Sequence, residues 1–134
     1  QNYIQNYINS IDIYKYPGIK KPNINSCLIN KYRNGNDSIR PHRDNQSTFG
    51  DNPTVIGMSF GDTRDIIFSR IIYNPLKMNS IKKDTNNNKE IKVSLKHNSL
   101  FIMGGAIQKY YSHEIPKETN KNIRYSLTFR EYLY

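Results

Sequence analysis

The chain has one cysteine (Cys27), no tryptophan and only three histidines among 134 residues. A lone cysteine forms neither an internal disulfide nor a multi-cysteine zinc site, which excludes a disulfide scaffold and a zinc finger. No uninterrupted apolar run approaches the roughly 20 residues a membrane-spanning helix needs, and no basic-then-apolar leader is visible. The expected localisation is therefore intracellular, cytoplasmic or nuclear, with no membrane partner. Acidic residues are also scarce: 11 Asp+Glu stand against 20 Lys+Arg, a formal charge of +9. Asn, Ile, Lys and Tyr, all with A/T-rich codons, dominate the composition, so part of this charge reflects codon bias. A basic surface still attracts phosphate polyanions at long range, whatever produced it. The length suits one domain. No pattern speaks to self-association, so a monomer is the default. The first residue is Gln rather than Met, as in a fragment or a processed chain.

What is present begins with a helical pattern. Tyr3, Ile4, Tyr7, Ile8 and Ile11 recur at three- and four-residue spacing, which predicts an amphipathic helix. Tyr16-Pro17-Gly18 breaks it. Short β-type runs follow at residues 26–32, 54–60, 65–73, 91–95, 99–105, 108–113 and 122–130. One helix followed by such strands predicts a mainly β fold, a sandwich or barrel with the helix packed outside. Residues 33–41 read as a turn-rich loop running into His42. Residues 74–90, rich in Asn and Lys, read as a solvated excursion between strands or, more sharply, as a basic finger for a phosphate backbone. Its best phosphate candidates are Lys82, Lys83 and Lys89.

Three residues carry the clearest chemistry: His42 and Asp44 in PHRD, and His113 in YYSHEIP. In a strand, residues two apart share a face, so His42 and Asp44 can aim at one point. His113 from a neighbouring strand would complete two imidazoles and one carboxylate on one side of a metal. The remaining positions stay open, as non-haem Fe(II) requires. Taken alone, the His-x-Asp pair is a weak signal, since most such pairs are ordinary surface residues. The last strand, RYSLTFR, puts Arg124, Ser126, Thr128 and Arg130 on one face and Tyr125, Leu127 and Phe129 on the other. Two arginines and two hydroxyls on one face must meet an anion or water, and arginine is the side chain best shaped for a carboxylate. Asn30 and Tyr32 in LINKY repeat the device on another strand.

The ordered set LINKYRNGNDSIRPHRD, SFGDTRDIIF, SLFIMGGAIQKYYSHEIP and NIRYSLTFR resembles the AlkB family of Fe(II)- and 2-oxoglutarate-dependent dioxygenases, most of all its animal-type DNA repair members. The resemblance spans roughly residues 22 to 131. It implies a double-stranded β-helix, or jelly roll. His42, Asp44 and His113 match the iron ligands. Arg124 matches the arginine that pairs with the distal carboxylate of 2-oxoglutarate, with Asn30 and Tyr32 as helpers. Ser126 shares their face, and Thr128 and Arg130 match further cosubstrate contacts, Arg130 nearer the metal. The implied reaction uses Fe(II), 2-oxoglutarate and O2 to demethylate N-alkylated bases of DNA or RNA, releasing formaldehyde, succinate and carbon dioxide. The target base must be unpaired or flipped out of its duplex.

The sequence departs from the family at two points. Asn45 and Gln46 follow His-Arg-Asp where the repair enzymes carry acidic residues that help read the damaged base. Amides both donate and accept hydrogen bonds, so base reading survives with an altered preference. Only about 20 residues precede the core, most of them in the predicted helix, so the lid that handles a flipped base in duplex-acting members is not visible. Tyr14 and Tyr16 are candidate stacking faces but are expected to pack against the helix. His97 is expected to be a polar turn residue and Cys27 a small buried hydrophobe. Gly61 and Gly104-Gly105 are expected to sit in turns. Arg64 is expected to salt-bridge rather than steady the loop at the metal site. The competing readings are an RNA demethylase, a protein or small-molecule oxygenase, and an inactive nucleic-acid-binding module on the same scaffold.

Overall fold

A computed structural model describes residues 2–12 and 15–133. Helix α1 (Asn2–Ser10) is followed by strands β1 (Ser26–Tyr32) and β2 (Ile39–His42), the single-turn helix α2 (Gln46–Phe49), and strands β3 (Val55–Gly61), β4 (Arg64–Arg70), β5 (Glu90–Leu95) and β6 (Ser99–Met103). The chain ends with the short helix α3 (Ile107–Tyr110) and strands β7 (Tyr111–Ile115) and β8 (Arg124–Arg130). The strands form two four-stranded sheets in the orders β1-β8-β3-β6 and β2-β7-β4-β5, all of whose pairs are antiparallel. This is the expected jelly roll.

The core lies in two layers. Between the sheets, Tyr32, Val55, Ile66, Phe68, Leu95, Met103 and Ile115 are buried together. On the outer face of the first sheet, α1 covers a second cluster: Ile4 and Ile8 pack with Ile24, Ile56 and Phe129. A nine-residue helix is too short to persist alone, and burying each isoleucine contributes about 1.5–3 kcal/mol. Gln5 fastens α1 to the next segment, donating to the Pro22 carbonyl at 3.2 Å and accepting from the Ile24 amide at 2.9 Å. The buried stripe is narrower than the spacing suggests: Tyr3 and Tyr7 face outward, while Ile11 is partly buried against the cluster. Among the described residues no helix is long and apolar enough to cross a membrane.

Several local expectations are corrected. Residues 39–42 form a strand rather than the tail of a loop. β2 pairs with β7 through Ile39–Ile115 and His42–His113, with a register irregularity between them. Pro41 sits in that irregularity, on an edge strand, where a missing N–H is tolerated. Residues 108–110 belong to a helical turn, and only 111–115 are strand. β4 ends at Arg70, after which Ile71 makes an isolated bridge to Lys83. Residues 74–89 stay largely outside the sheets, as expected of an excursion. Cys27 is exposed rather than buried, because β1 is an edge strand and α1 does not reach over that position. Tyr16 is 65% exposed and so does not pack on the helix; Tyr14 lies outside the described residues.

His97 and Gly105 sit in turns as expected, whereas Gly61 is the last residue of β3, paired with Arg124. His97 and Asn98 form the turn between β5 and β6, where His97 Nδ1 accepts from the Gly61 amide at 2.9 Å. Gly61 has φ +98, and a Cβ there would lie 2.3 Å from the Ile123 carbonyl oxygen. Gly105 also adopts a positive φ.

Candidate active site

Strand register builds the site. Across the inner face of the first sheet, Asn30 is opposite Ser126, which is opposite Ser59, while Tyr32 is opposite Arg124. Across the second sheet, His42 is opposite His113, which is opposite Phe68. A polar row on one sheet thus faces two imidazoles on the other. Between them lies a cavity of about 130 Å³, lined by Asn30, Tyr32, His42, His113, Arg124, Ser126, Thr128 and Arg130 together with apolar side chains.

At one end of this space, one ligand atom each from His42, Asp44 and His113 lies within 4.8 Å of the others. Asp44 is not in the strand with His42. It sits in the loop just beyond β2, so the bend of the chain, not the strand pleat, brings its carboxylate to 3.8 Å from His42 Nε2. His42 Nδ1 lies 2.9 Å from the Arg40 carbonyl. That contact calls for a proton on Nδ1 and leaves the Nε2 lone pair for a ligand. His113 is buried, and burial together with the neighbouring His42 lowers its pKa to about 4. Its imidazole is neutral at physiological pH, the form that binds metal.

Asp44 is held from two directions. Arg130 Nε sits 2.9 Å from Oδ2 without the alignment of a hydrogen bond, and Nη2 donates to Oδ1 at 3.4 Å. Gln108, from α3, accepts from the Asp44 amide at 2.7 Å and donates to Oδ2 at 3.3 Å.

At the other end, Arg124 is 1% exposed. Its Nη2 donates to Ser59 Oγ at 2.9 Å, while Nε and Nη1 are buried with no partner. A buried guanidinium with unmet donors is costly unless an anion completes it, which fits a carboxylate entering the cavity. Tyr32 lies between two cations, with the guanidinium carbon of Arg124 at 5.0 Å and that of Arg64 at 5.4 Å from its ring centroid. Burial pushes the Tyr32 phenol up from its ordinary pKa, so it remains a hydrogen-bond donor. Arg64, wholly buried, donates to the carbonyls of Asn34 at 3.3 Å and Asp37 at 2.9 Å, and lies 3.7 Å from Glu118. It makes the expected ion pair and also steadies the loop leading to β2.

A protein with this fold, a cluster of two histidines and a carboxylate, and an unmatched buried arginine facing the same cavity has a narrow set of counterparts. The sequence pattern of the 2OG-Fe(II) oxygenase superfamily matches residues 3–130. The chain is a member of that superfamily, of the AlkB type. It is similar to the alpha-ketoglutarate-dependent dioxygenase alkB homolog 3 of Homo sapiens, with 37% identity over 107 residues, 79% of this chain and 36% of that protein. It is also similar to the DNA oxidative demethylase ALKBH2 of Arabidopsis thaliana, with 30% identity over 129 residues, 88% of this chain and 40% of that protein. The chain therefore spans less than half the length of these relatives. Among solved structures, that of OsALKBH1 has the same fold, with a TM-score of 0.61 at 18% identity, covering 97% of this chain and 60% of that one. The superfamily's cofactors are Fe(II) and 2-oxoglutarate, and the donor set and the unmatched Arg124 fit both.

The remaining sequence-predicted residues lie apart from the cavity. Asn45 is exposed and caps α2, its Oδ1 accepting from the Ser47 amide at 2.9 Å and the Ser47 hydroxyl at 2.6 Å. Gln46 lines a second, polar cavity of about 180 Å³, which also touches Asp44 and Gln108. Lys82, Lys83 and Lys89 are exposed, and Lys83 lies 3.7 Å from Glu90. Sequence reasoning missed Ser59 and Gln108. Ser59 left one signal, a small polar residue at an inward position of an apolar strand. Gln108 left none, because its role depends on a helical turn that the sequence does not announce.

Proposed function

We propose that the chain forms a single-domain oxygenase that removes methyl groups oxidatively from N-alkylated bases of nucleic acid. The observation that carries the reading is the unmatched guanidinium of Arg124, buried in the cavity that His42 and His113 also line. His42, Asp44 and His113 would hold Fe(II). Arg124 would pair with the distal carboxylate of 2-oxoglutarate, assisted by Asn30, Tyr32, Ser126 and Thr128. Arg130 holds the Asp44 carboxylate in place. When bound, Fe(II) and 2-oxoglutarate would activate O2, the oxidant: two electrons come from 2-oxoglutarate, which leaves as succinate and carbon dioxide, and two from the N-methyl group, which leaves as formaldehyde; the protein contributes position and the exclusion of water.

Two features support a nucleic acid substrate: the +9 charge and the similarity to proteins named as DNA oxidative demethylases. The deciding experiment measures formaldehyde and succinate from single-stranded DNA carrying 1-methyladenine, with Fe(II), 2-oxoglutarate and ascorbate, beside the His113→Ala protein. Both products from the parent and neither from the variant are expected. Succinate without formaldehyde would keep the oxygenase and overturn the substrate, with methylated RNA as the next arm. No binding of Mn(II) or 2-oxoglutarate would overturn the site.

A further inference from the structure

At the rim of the second sheet, cations and aromatic rings alternate. Arg70 and Tyr111 are cross-strand partners two residues on from the Phe68–His113 pair, so they lie one inward-facing layer beyond His113. The Arg70 guanidinium carbon is 5.3 Å from the Tyr111 ring centroid and 4.9 Å from that of Tyr110. Lys109 Nζ is 5.6 Å from the Tyr110 centroid and 4.6 Å from that of Tyr73. Tyr73 and Tyr110 meet edge to face at 6.0 Å. The ladder Tyr111–Arg70–Tyr110–Lys109–Tyr73 ends at the polar cavity of about 180 Å³, which Tyr73 and Lys109 line together with Asp44 and Gln46. Its framework is tied to the fold: the Ile71 amide donates to the Tyr110 carbonyl at 2.9 Å, and Ile71 itself is buried.

Neither cation has a carboxylate within 4.0 Å among the described residues. Cations without a counter-charge invite an anion, and rings beside them offer stacking surface for bases. That combination is how proteins hold an unpaired nucleic acid strand. A duplex hides its base faces and has no use for the rings.

We infer that this ladder is a binding track for an unpaired nucleic acid strand, with Arg70 and Lys109 on the phosphates and Tyr73 stacking on a base at the entrance to the cavity beside Asp44. The assignment rests on the function proposed above for its substrate class. The polar groups of the cavity wall, including Gln46, Asp51 and Asn52, then meet the edge of the target base, while the track holds its neighbours.

The test is the fluorescence anisotropy of a fluorescein-labelled, unmethylated single-stranded 15-mer, titrated at several salt concentrations. Lys109→Gln, Arg70→Gln and Tyr73→Leu are compared with Lys96→Gln. Lys96 is exposed and follows β5 at the end of the sheet where Leu95 pairs with Arg64, so this control removes one charge from the opposite end. Each track variant is expected to weaken binding roughly fivefold to tenfold. The two cation variants should also make the dependence of log Kd on log[salt] shallower by about 0.7, the slope contribution of one phosphate on a single strand. Lys109→Arg should restore both values, which guards against simple misfolding, and Lys96→Gln should change neither. The same sequence as a duplex should bind at least tenfold more weakly than the single strand. An equal loss in Lys96→Gln, unchanged binding in the track variants, equal affinity for duplex, or no binding by the parent would each overturn the track. Formaldehyde release from methylated DNA, measured separately, tells this failure apart from failure of the proposed activity: demethylation with an indifferent track removes only the track, and strand binding without demethylation removes only the activity.

Discussion

Gln108 grips Asp44 at both ends, accepting from its backbone amide at 2.7 Å and donating to its carboxylate at 3.3 Å. Because Asp44 lies in a loop rather than in β2, nothing in the sheet itself fixes its direction. Two groups from elsewhere do so instead: Arg130, from β8 of the other sheet, and Gln108 of the short helix α3, in the segment immediately before β7 and His113.

Replacing Gln108 with Leu removes both contacts while keeping the volume of the side chain. Groups that orient a metal ligand typically contribute a factor of 10 to 100 in affinity. Isothermal titration of the variant with Mn(II) should show a loss of that order. An unchanged affinity would mean that Arg130 alone orients Asp44.

Arg124→Met should separate stability from cosubstrate binding. A buried guanidinium with two unmatched nitrogens is a burden on the ligand-free protein, and apolar side chains of similar size often replace such charges at no cost or with a gain. The ligand-free variant should be more stable by about 1 kcal/mol in urea titrations, yet bind 2-oxoglutarate at least a hundredfold more weakly. Mn(II) affinity should persist. Arg124→Lys keeps the charge but not the planar fork, and should recover only part of the cosubstrate affinity.

His113 sets a pH dependence for the metal-free fold. Its imidazole titrates near 4 in the folded chain and near 6.5 when unfolded, so between these values the unfolded chain binds a proton that the folded chain refuses. Stability is therefore fully present above pH 6.5 and is lost as the pH falls toward 4. Between pH 7 and 5 this contributes about 1–2 kcal/mol. Urea midpoints for the parent should fall over that interval more than those of His113→Gln, which has nothing to titrate there.

Gly61→Ala should cost about 1–3 kcal/mol. The glycine has a positive φ, and an added Cβ would meet the Ile123 backbone. The melting temperature should fall, and 2-oxoglutarate affinity with it, because Ile123 directly precedes Arg124.

Much of this was legible in the residues. The bounds of β1 could be read as 26–32 because apolar and polar positions are cleanly framed by turn residues. The two faces of β8 could be read from strict alternation, Arg124 and Ser126 inward and Tyr125 outward. β2 was not legible, since Pro41 and the irregular register interrupt the period that marks a strand. Gln108 and Arg64 were legible only as residues. What each holds lies far along the chain, 64 positions away for Gln108, and no local pattern encodes such a pairing.

Asp44 stands at a party wall. Its carboxylate borders the polar cavity, while the arginine that grips it, Arg130, lines the other. If a guest drew Arg130 away on one side it would loosen the wall for a guest on the other, and any such coupling would be equal in both directions.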